Sequence, residues 1–365
     1  MIRILHAADL HLDSPFQSLS ARQAAERRAE QRRLLTRIVQ LAEERADMLV
    51  FAGDVFDSDA GFAETARALK KALAQTDIPV FFAPGNHDWY SARSPWDKLE
   101  FGDNVHIFRG EDIECVKLDD LCVRVWGSAF CGRSRRAPLA GFEAEKDGDW
   151  LDVMVLHGEV GNPRSVYAPI QPEELERSGM DYVALGHSHS FSGLQRAGGT
   201  YYAWPGCAEG RGFDECGEKG VILAELEPER CRIEFIGLGG REYAVERVDL
   251  TEAADEVAAV MNALRGRSER DICRVILTGE TDDSPDTDAV GRALEQRFYA
   301  WQLRDETTPR RSLWEQGGDD SLRALFVQKL HQRLENAADD AERRRVTLAL
   351  RWGLRAFDKG EEPPV

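Results

Sequence analysis

Five short clusters of metal-competent side chains punctuate the first half of the chain: Asp9-Leu10-His11, Gly53-Asp54-Val55-Phe56-Asp57, Gly85-Asn86-His87-Asp88, His157-Gly158-Glu159 and Gly186-His187-Ser188-His189. Taken singly, each has an ordinary explanation, since an Asp after a strand caps a turn and a solitary His is more often packing than ligand. Their joint order carries the signal. Each cluster follows a short apolar run, so the five should meet at the carboxyl edges of sheets, where α/β folds build their sites. Asp9 and His11, two apart on an extended segment, are expected to face the same side and grip one metal. His187 and His189 share that spacing, although a turn after Gly186 would hand them to different ions. Gly53, Gly85 and Gly186 should let the backbone approach closely beside the ligands. Mixed nitrogen and oxygen donors suit Mn, Fe or Zn and fit an all-oxygen Ca or Mg cage poorly.

The elements that must hold these groups are legible as short β-rich runs: Ile2 to Ala8, Met48 to Ala52, Pro79 to Ala83, Val105 to Phe108, Cys122 to Trp126, Asp152 to Leu156 and Tyr182 to Leu185. Helical patterns lie between them at 21–45 and 62–74. Closely spaced strands follow, at Phe191 to Gln195, Thr200 to Trp204, Val221 to Leu226 and Arg232 to Ile236. The fold class is therefore α/β, a layered arrangement of two mixed sheets flanked by helices rather than a purely parallel sheet. Gly237-Leu238-Gly239-Gly240 ends this region, giving an expected domain over 1–240. A small α/β cap over 241–309 includes a helix from Thr251 to Leu264, and a helical segment over 310–365 carries two apolar stripes.

The ordered set of clusters resembles the calcineurin-like metallophosphoesterase superfamily, whose pattern runs Asp-x-His, Gly-Asp-x-x-Asp, Gly-Asn-His-Asp/Glu, His, Gly-His-x-His. The resemblance implies two divalent ions, Mn first, with Fe, Zn or Mg as alternatives. It places one on Asp9, His11, Asp54 and His189, and the other on Asp54, Asn86, His157 and His187. His87 becomes the proton donor, steered by Asp88. Ser58-Asp59 stands where the superfamily's protein Ser/Thr phosphatases have Arg-Gly, and Asp88 where they have Glu, which disfavours that branch. The opening run from Ile4 to Phe16 and the segment Tyr202 to Phe213 are instead similar to the SbcD/YhaO-type DNA repair exonucleases. That likeness implies a cap that positions DNA and C-terminal helices that bind an SMC-like ATPase of the SbcC/YhaN type. It also implies a homodimer.

With 47 Lys+Arg against 65 Asp+Glu, a formal charge of −18 rules out coating nucleic acid with the whole surface, because that binding needs cations to displace counterions. DNA must be met locally. Arg133, Arg135 and Arg136 are the candidate contacts, and Arg343, Arg344, Arg345, Arg351 and Arg355 form a basic rim on the last helix. Arg27, Arg28, Arg32 and Arg33 read as a charge-paired helix surface, and the acidic run Glu280 to Asp288 as a solubilising turn. No apolar run approaches the roughly 18 residues of a membrane span, and Asp9 interrupts any secretory core. Seven scattered cysteines without a Cys-x-x-Cys pair read as reduced thiols in a cytoplasmic protein. Two competing functions share the same residues: a small-molecule or nucleotide phosphodiesterase, and a silent scaffold.

Overall fold

Along β1 (Ile2–Ala7) apolar side chains alternate between two faces, and both are buried. Ile2 and Ile4 join the core between two sheets, while Leu5 and Ala7 pack on the other side beneath α1 (Ala21–Arg45). A strand covered on both faces belongs in the middle of a layered α/β unit. The computed structural model describes residues 1–58, 63–146, 148, 150–315 and 321–359 and divides into two units, Met1–Glu242 and Tyr243–Val365. Asp59, the expected helix start at Phe62, and parts of the 310–365 segment lie outside the described residues.

Two six-stranded sheets build the first unit. In chain order its strands are β1, β2 (Met48–Phe51), β3 (Val80–Phe82), β4 (Val105–Ile107), β5 (Glu114–Leu118), β6 (Val123–Gly127), β7 (Leu151–His157), β8 (Glu159–Val160), β9 (Pro169–Ile170), β10 (Tyr182–Gly186), β11 (Gln195–Ala197), β12 (Thr200–Ala203), β13 (Gly220–Glu227) and β14 (Arg230–Gly237). One sheet has the order β14-β13-β1-β2-β3-β4, the other β11-β12-β10-β7-β6-β5. Within them β1 to β4 run parallel, as do β6, β7, β10 and β12, so the ends of β1, β2, β3, β7 and β10 can open on one region. Outer strands β13, β14, β5 and β11 pair antiparallel, which makes both sheets mixed. Ile4, Val50, Val153, Val155, Tyr182 and Ala184 interleave between the sheets. Leu34, Leu35, Ile38 and Val39 of α1 cover the outer face of the first. Phe191 to Gln195 is not the expected strand: Phe191 lies in a loop, its ring 4.7 Å from Phe235, and pairing begins only at Gln195.

One polar group crosses between the sheets. His6, fully buried on β1, places Nδ1 3.0 Å from the Tyr182 hydroxyl and Nε2 3.1 Å from the Leu185 carbonyl oxygen. A carbonyl only accepts, so Nε2 carries the proton and Nδ1 accepts from Tyr182. Both partners lie on β10, which this bond fixes against β1.

The second unit holds a three-stranded parallel sheet of β15 (Tyr243–Asp249), β16 (Ile272–Thr278) and, after the short β17 (Glu280–Thr281), β18 (Ala300–Asp305). Helices Glu256–Ala263 and Thr287–Arg297 pack on it. The first begins later than expected, because Asp255 caps it while Thr251 turns back to bond Asp249. Two long helices, Leu322–Glu335 and Asp340–Lys359, bury Val327, Leu330, Val346, Leu350 and Leu354 against each other. The basic rim is only partly a rim: Arg351 is buried and donates to the Thr281 and Thr307 hydroxyls, and Arg355 pairs with Asp283 at 3.0 Å. Nor is the acidic run merely a turn, since Asp283 takes that pair and Asp286 caps the following helix. Among the described residues no helix is long and apolar enough to cross a membrane.

Candidate metal centre

Asp9 and His11 follow β1, Asp54 follows β2, Asn86 and His87 follow β3, His157 ends β7 and His187 follows β10. Backbone bonds from Asp9 N–H to Gly53 O (3.1 Å) and from His11 N–H to Asp54 O (2.9 Å) stitch the first two loops together. The expected extended Asp9-x-His11 geometry is not what unites these residues. Both sit in the left-handed region, with φ of 51° and 43°, as does Asp54 at 49°. Such strain concentrates at functional sites, and here pairing with the Gly53–Val55 segment holds it. Gly53 itself has φ of +88°, and a Cβ there would lie 2.7 Å from His157 Cγ; at Gly85 a Cβ would strike the Asp54 carboxylate.

Three imidazoles converge, and two of them, His157 and His189, are braced on Nδ1. His157 Nδ1 donates to the Ala52 carbonyl at 2.9 Å, and its Nε2 lies 2.9 Å from Asn86 Oδ1 and 3.3 Å from Asp54 Oδ2. His189 Nδ1 donates to Glu215 Oε1 at 2.7 Å, leaving Nε2 3.3 Å from His11 Nε2. His11 Nδ1 lies 3.2 Å from Asp57 Oδ1, an approach too oblique for a true hydrogen bond, while its Nε2 is 3.7 Å from Asp54 Oδ2. Bracing Nδ1 by a carboxylate or carbonyl is how proteins aim Nε2 at a metal. Donors bound to one ion at about 2.0–2.2 Å stand roughly 3–3.5 Å apart, as these do. Asp9, His11 and His189 offer ligand atoms within 4.8 Å of one another, as do Asp9, Asp54 and His157. Asp54 Oδ2 lies between the two histidine sets, 3.7 Å from His11 Nε2 and 3.3 Å from His157 Nε2. The donor set fits a pair of divalent cations.

The electrostatics agree with that fit. Burial pushes the Asp9 carboxyl up to about 7, against the pull of His157 and His189. Burial also pushes His157 down, but Asp54 and Asp9 outweigh it and raise the imidazole to about 9. Burial also opposes the ionised form of Asp54, but His157 holds that carboxyl far below the usual range. Burial lowers His11 to about 4; it lowers His187 to about 4 as well, with the charge of His157 adding to it. Two buried carboxylates facing one charged imidazole form a cavity that favours positive charge.

The calcineurin-like phosphoesterase model matches residues 2–191, slightly more than half of the chain. The chain belongs to the calcineurin-like phosphoesterase family. It is 28% identical over 341 residues to the uncharacterized metallophosphoesterase YhaO of Bacillus subtilis (strain 168), covering 84% of this chain and 82% of that one. It is also 28% identical over 287 residues to the DNA double-strand break repair protein Mre11 of Aeropyrum pernix, covering 73% and 68%. Calcineurin-like phosphoesterases hydrolyse phosphoester bonds at a dinuclear metal site, and Asp9, His11, Asp54, His157 and His189 bring ligand atoms together here.

Several side chains of this phosphoesterase take places that the sequence did not indicate. His187 joins none of the clusters of ligand atoms within 4.8 Å of one another, but it lies beside one of them, its ring packed 5.2 Å from that of His157 and 5.1 Å from that of Tyr167. Asp88 does not steer His87. Its buried carboxylate accepts from the N–H groups of Val55, Phe56 and Gly85 at 2.9, 3.2 and 2.8 Å, clamping the β2 and β3 loops together. His87 is oriented by its own backbone N–H on Asp54 Oδ1 (2.9 Å) and by Nδ1 on the Asp57 carbonyl (3.2 Å). Arg135 is buried, bonded to the Glu111 carbonyl and flanked by backbone pairing with the Tyr167 segment, so it shapes a loop instead of meeting DNA; Arg133 and Arg136 are exposed. Arg27 does pair with Glu30 along its helix, but it is wholly buried and not on the surface, bonded also to Glu209 and the Gly210 carbonyl. It anchors the loop that carries Arg211 and Glu215. Arg211 bonds Glu215 at 2.6 Å and Asp57 at 3.3 Å, so one cation supports the acids behind both His189 and His11. Asp57 was visible in Gly-Asp-x-x-Asp; Glu215 had no signal beyond its spacing of four from Arg211.

Proposed function

We propose that this chain is a metal-dependent DNA nuclease that cleaves phosphodiester bonds by a two-metal mechanism, with Mn²⁺ as its metal. The observation that carries the reading is the convergence of three imidazoles, two of them braced through Nδ1, with Asp9, Asp54 and Asn86. The name of the Mre11 relative, a DNA double-strand break repair protein, supports DNA as the substrate. Asp9, His11, Asp54 and His189 would hold one ion, and Asp54, Asn86, His157 and His187 the other. Such a pair, when bound, supplies a nucleophile at neutral pH and offsets the charge that builds on the phosphoryl oxygens. His87 does the rest. With Nδ1–H donated to the Asp57 carbonyl, its Nε2 is the atom that passes a proton to the leaving oxygen, a task suited to imidazole near neutral pH. Exposed Arg133 and Arg136 draw the DNA backbone toward the site.

Acting as a homodimer, the chain would meet an SMC-like ATPase through its C-terminal helices, in a reducing cytoplasm that suits seven free cysteines. Leu322, Leu325, Leu348 and Trp352 remain exposed on those helices, the first by 73%, although the same helices bury a stripe of their own. The experiment is hydrolysis of linear DNA and of a chromogenic phosphodiester in Mn²⁺. Wild type should cleave both. His87→Ala should keep its metal and lose about 10²- to 10⁴-fold in rate. Cleavage of the small ester without DNA would move the protein to the small-molecule phosphodiesterases, and an unaffected His87→Ala would remove the proton-donor role.

A further inference from the structure

An open groove of about 300 Å³ leads away from Asn86 and His87, at the lower end of the 300–1,000 Å³ range of ligand sites. Trp89, Arg133 and Tyr167 line it as well. The Arg133 guanidinium lies over the Trp89 ring, 5.6 Å from its centroid, so the two form a layer with an aromatic and a planar cationic surface. Tyr167 leans on the His187 ring at 36° and keeps 38% of its surface exposed. These side chains are held on pinned backbone. Asp88 immediately before Trp89 is clamped by three N–H groups, and Tyr90 N–H bonds the Phe130 carbonyl at 2.7 Å. Tyr167 lies between Val166 and Ala168, which pair with Arg135 at 2.9 and 3.1 Å. The groove is preformed, and buried Arg135 is one reason.

Resting on the nuclease reading, we infer that this groove takes one unpaired nucleotide beside the scissile phosphate, its base stacked on Trp89, Arg133 and Tyr167. Bases in a duplex have both faces covered by their neighbours, so only an unstacked base can use such surfaces. Every base has a π-face, and the stacking is therefore indifferent to sequence. It also answers a difficulty set by the net charge of −18: a chain that attracts phosphates weakly over its surface can still hold a nucleotide where aromatic faces meet the metal centre. The protein thus acts on single strands and opened ends in preference to paired ones.

The test compares the Mn²⁺-loaded full chain on three otherwise identical duplexes: a blunt end, an end forked by several unpaired nucleotides, and the same fork with abasic residues. Wild type should cleave the base-bearing fork about tenfold faster than the blunt end, and the abasic fork should lose that advantage. In Trp89→Ala and Tyr167→Ala the ratio of fork to blunt should fall toward one, and Trp89→Phe should restore it. Because each ratio is taken within one variant, a general loss of activity does not imitate the effect. Equal wild-type cleavage of fork and blunt, or of base-bearing and abasic forks, overturns the inference while leaving the nuclease reading intact. Failure to cleave any DNA while a chromogenic phosphodiester is hydrolysed overturns the nuclease reading, and the groove proposal with it.

Discussion

Replacing Glu215 by glutamine isolates the bracing of a single ligand. Glu215 is nearly buried and accepts from three sides: from His189 Nδ1 at 2.7 Å, from the Arg211 guanidinium at 2.6 Å and from the Arg211 backbone N–H at 2.8 Å. A glutamine presents one accepting oxygen and one donating NH₂ in the same space. If the oxygen faces His189, the NH₂ meets the donating N–H of Arg211. If the NH₂ faces His189, Nδ1 must accept and the proton moves to Nε2, the nitrogen that would bind metal. Either way, a charge-assisted bond is exchanged for a neutral one or lost, a difference of about 1–2 kcal/mol. Metal affinity should fall 10- to 100-fold, as removal of such outer partners does elsewhere, corresponding to about 1.4–2.7 kcal/mol. The loss should be confined to one ion, because His157 is braced separately by the Ala52 carbonyl. Titration of the metal-free protein with Mn²⁺, followed by calorimetry or by paramagnetic resonance of free Mn²⁺, would resolve the two steps. Unchanged affinities, or equal weakening of both sites, would refute the reasoning.

Metal binding should release about one to two protons at pH 7, because His157, raised to about 9, and Asp9, raised to about 7, compete for protons with the ions; affinity should therefore fall as pH falls, which calorimetry in buffers of different ionisation enthalpy would measure. His6, lowered to about 3 by burial, stays neutral in the fold while its unfolded form gains a proton below about 6.5. Stability should therefore drop by about 1.4 kcal/mol per pH unit from this group between about 6.5 and 3, and denaturant melts of His6→Gln should show about one proton fewer taken up on unfolding. Gly85→Ala drives a Cβ into the Asp54 carboxylate and should cost about 1–3 kcal/mol together with metal binding, whereas Gly199→Ala, with open space around it, should leave both unchanged in thermal melts and metal titrations.

The strands and their terminal clusters were legible because both signals are local. Met48–Phe51 is an apolar run of strand length, and Gly53-Asp54 follows it after one alanine. What the sequence concealed depends on partners far along the chain. The left-handed turns at Asp9 and His11 exist because their N–H groups pair with carbonyls at 53 and 54, a contact that no local propensity announces. Arg27, Arg135 and Arg351 look like surface charge in one dimension, yet each is buried against acceptors that other segments provide. Asp88 read as a mechanistic acid because it adjoins His87, but its neighbours in space are three amide groups. Glu215 lies 26 residues beyond His189, and only the fold joins them.

The most direct measurement of the central claim is anomalous diffraction at the manganese edge from crystals of the full chain grown in Mn²⁺. Two peaks are expected on either side of the Asp54 carboxylate, one reaching Asp9, His11 and His189, the other reaching Asn86, His157 and His187. A single peak, or a peak held by His11, Asp57 and His87, whose ligand atoms also lie within 4.8 Å of one another, would contradict it.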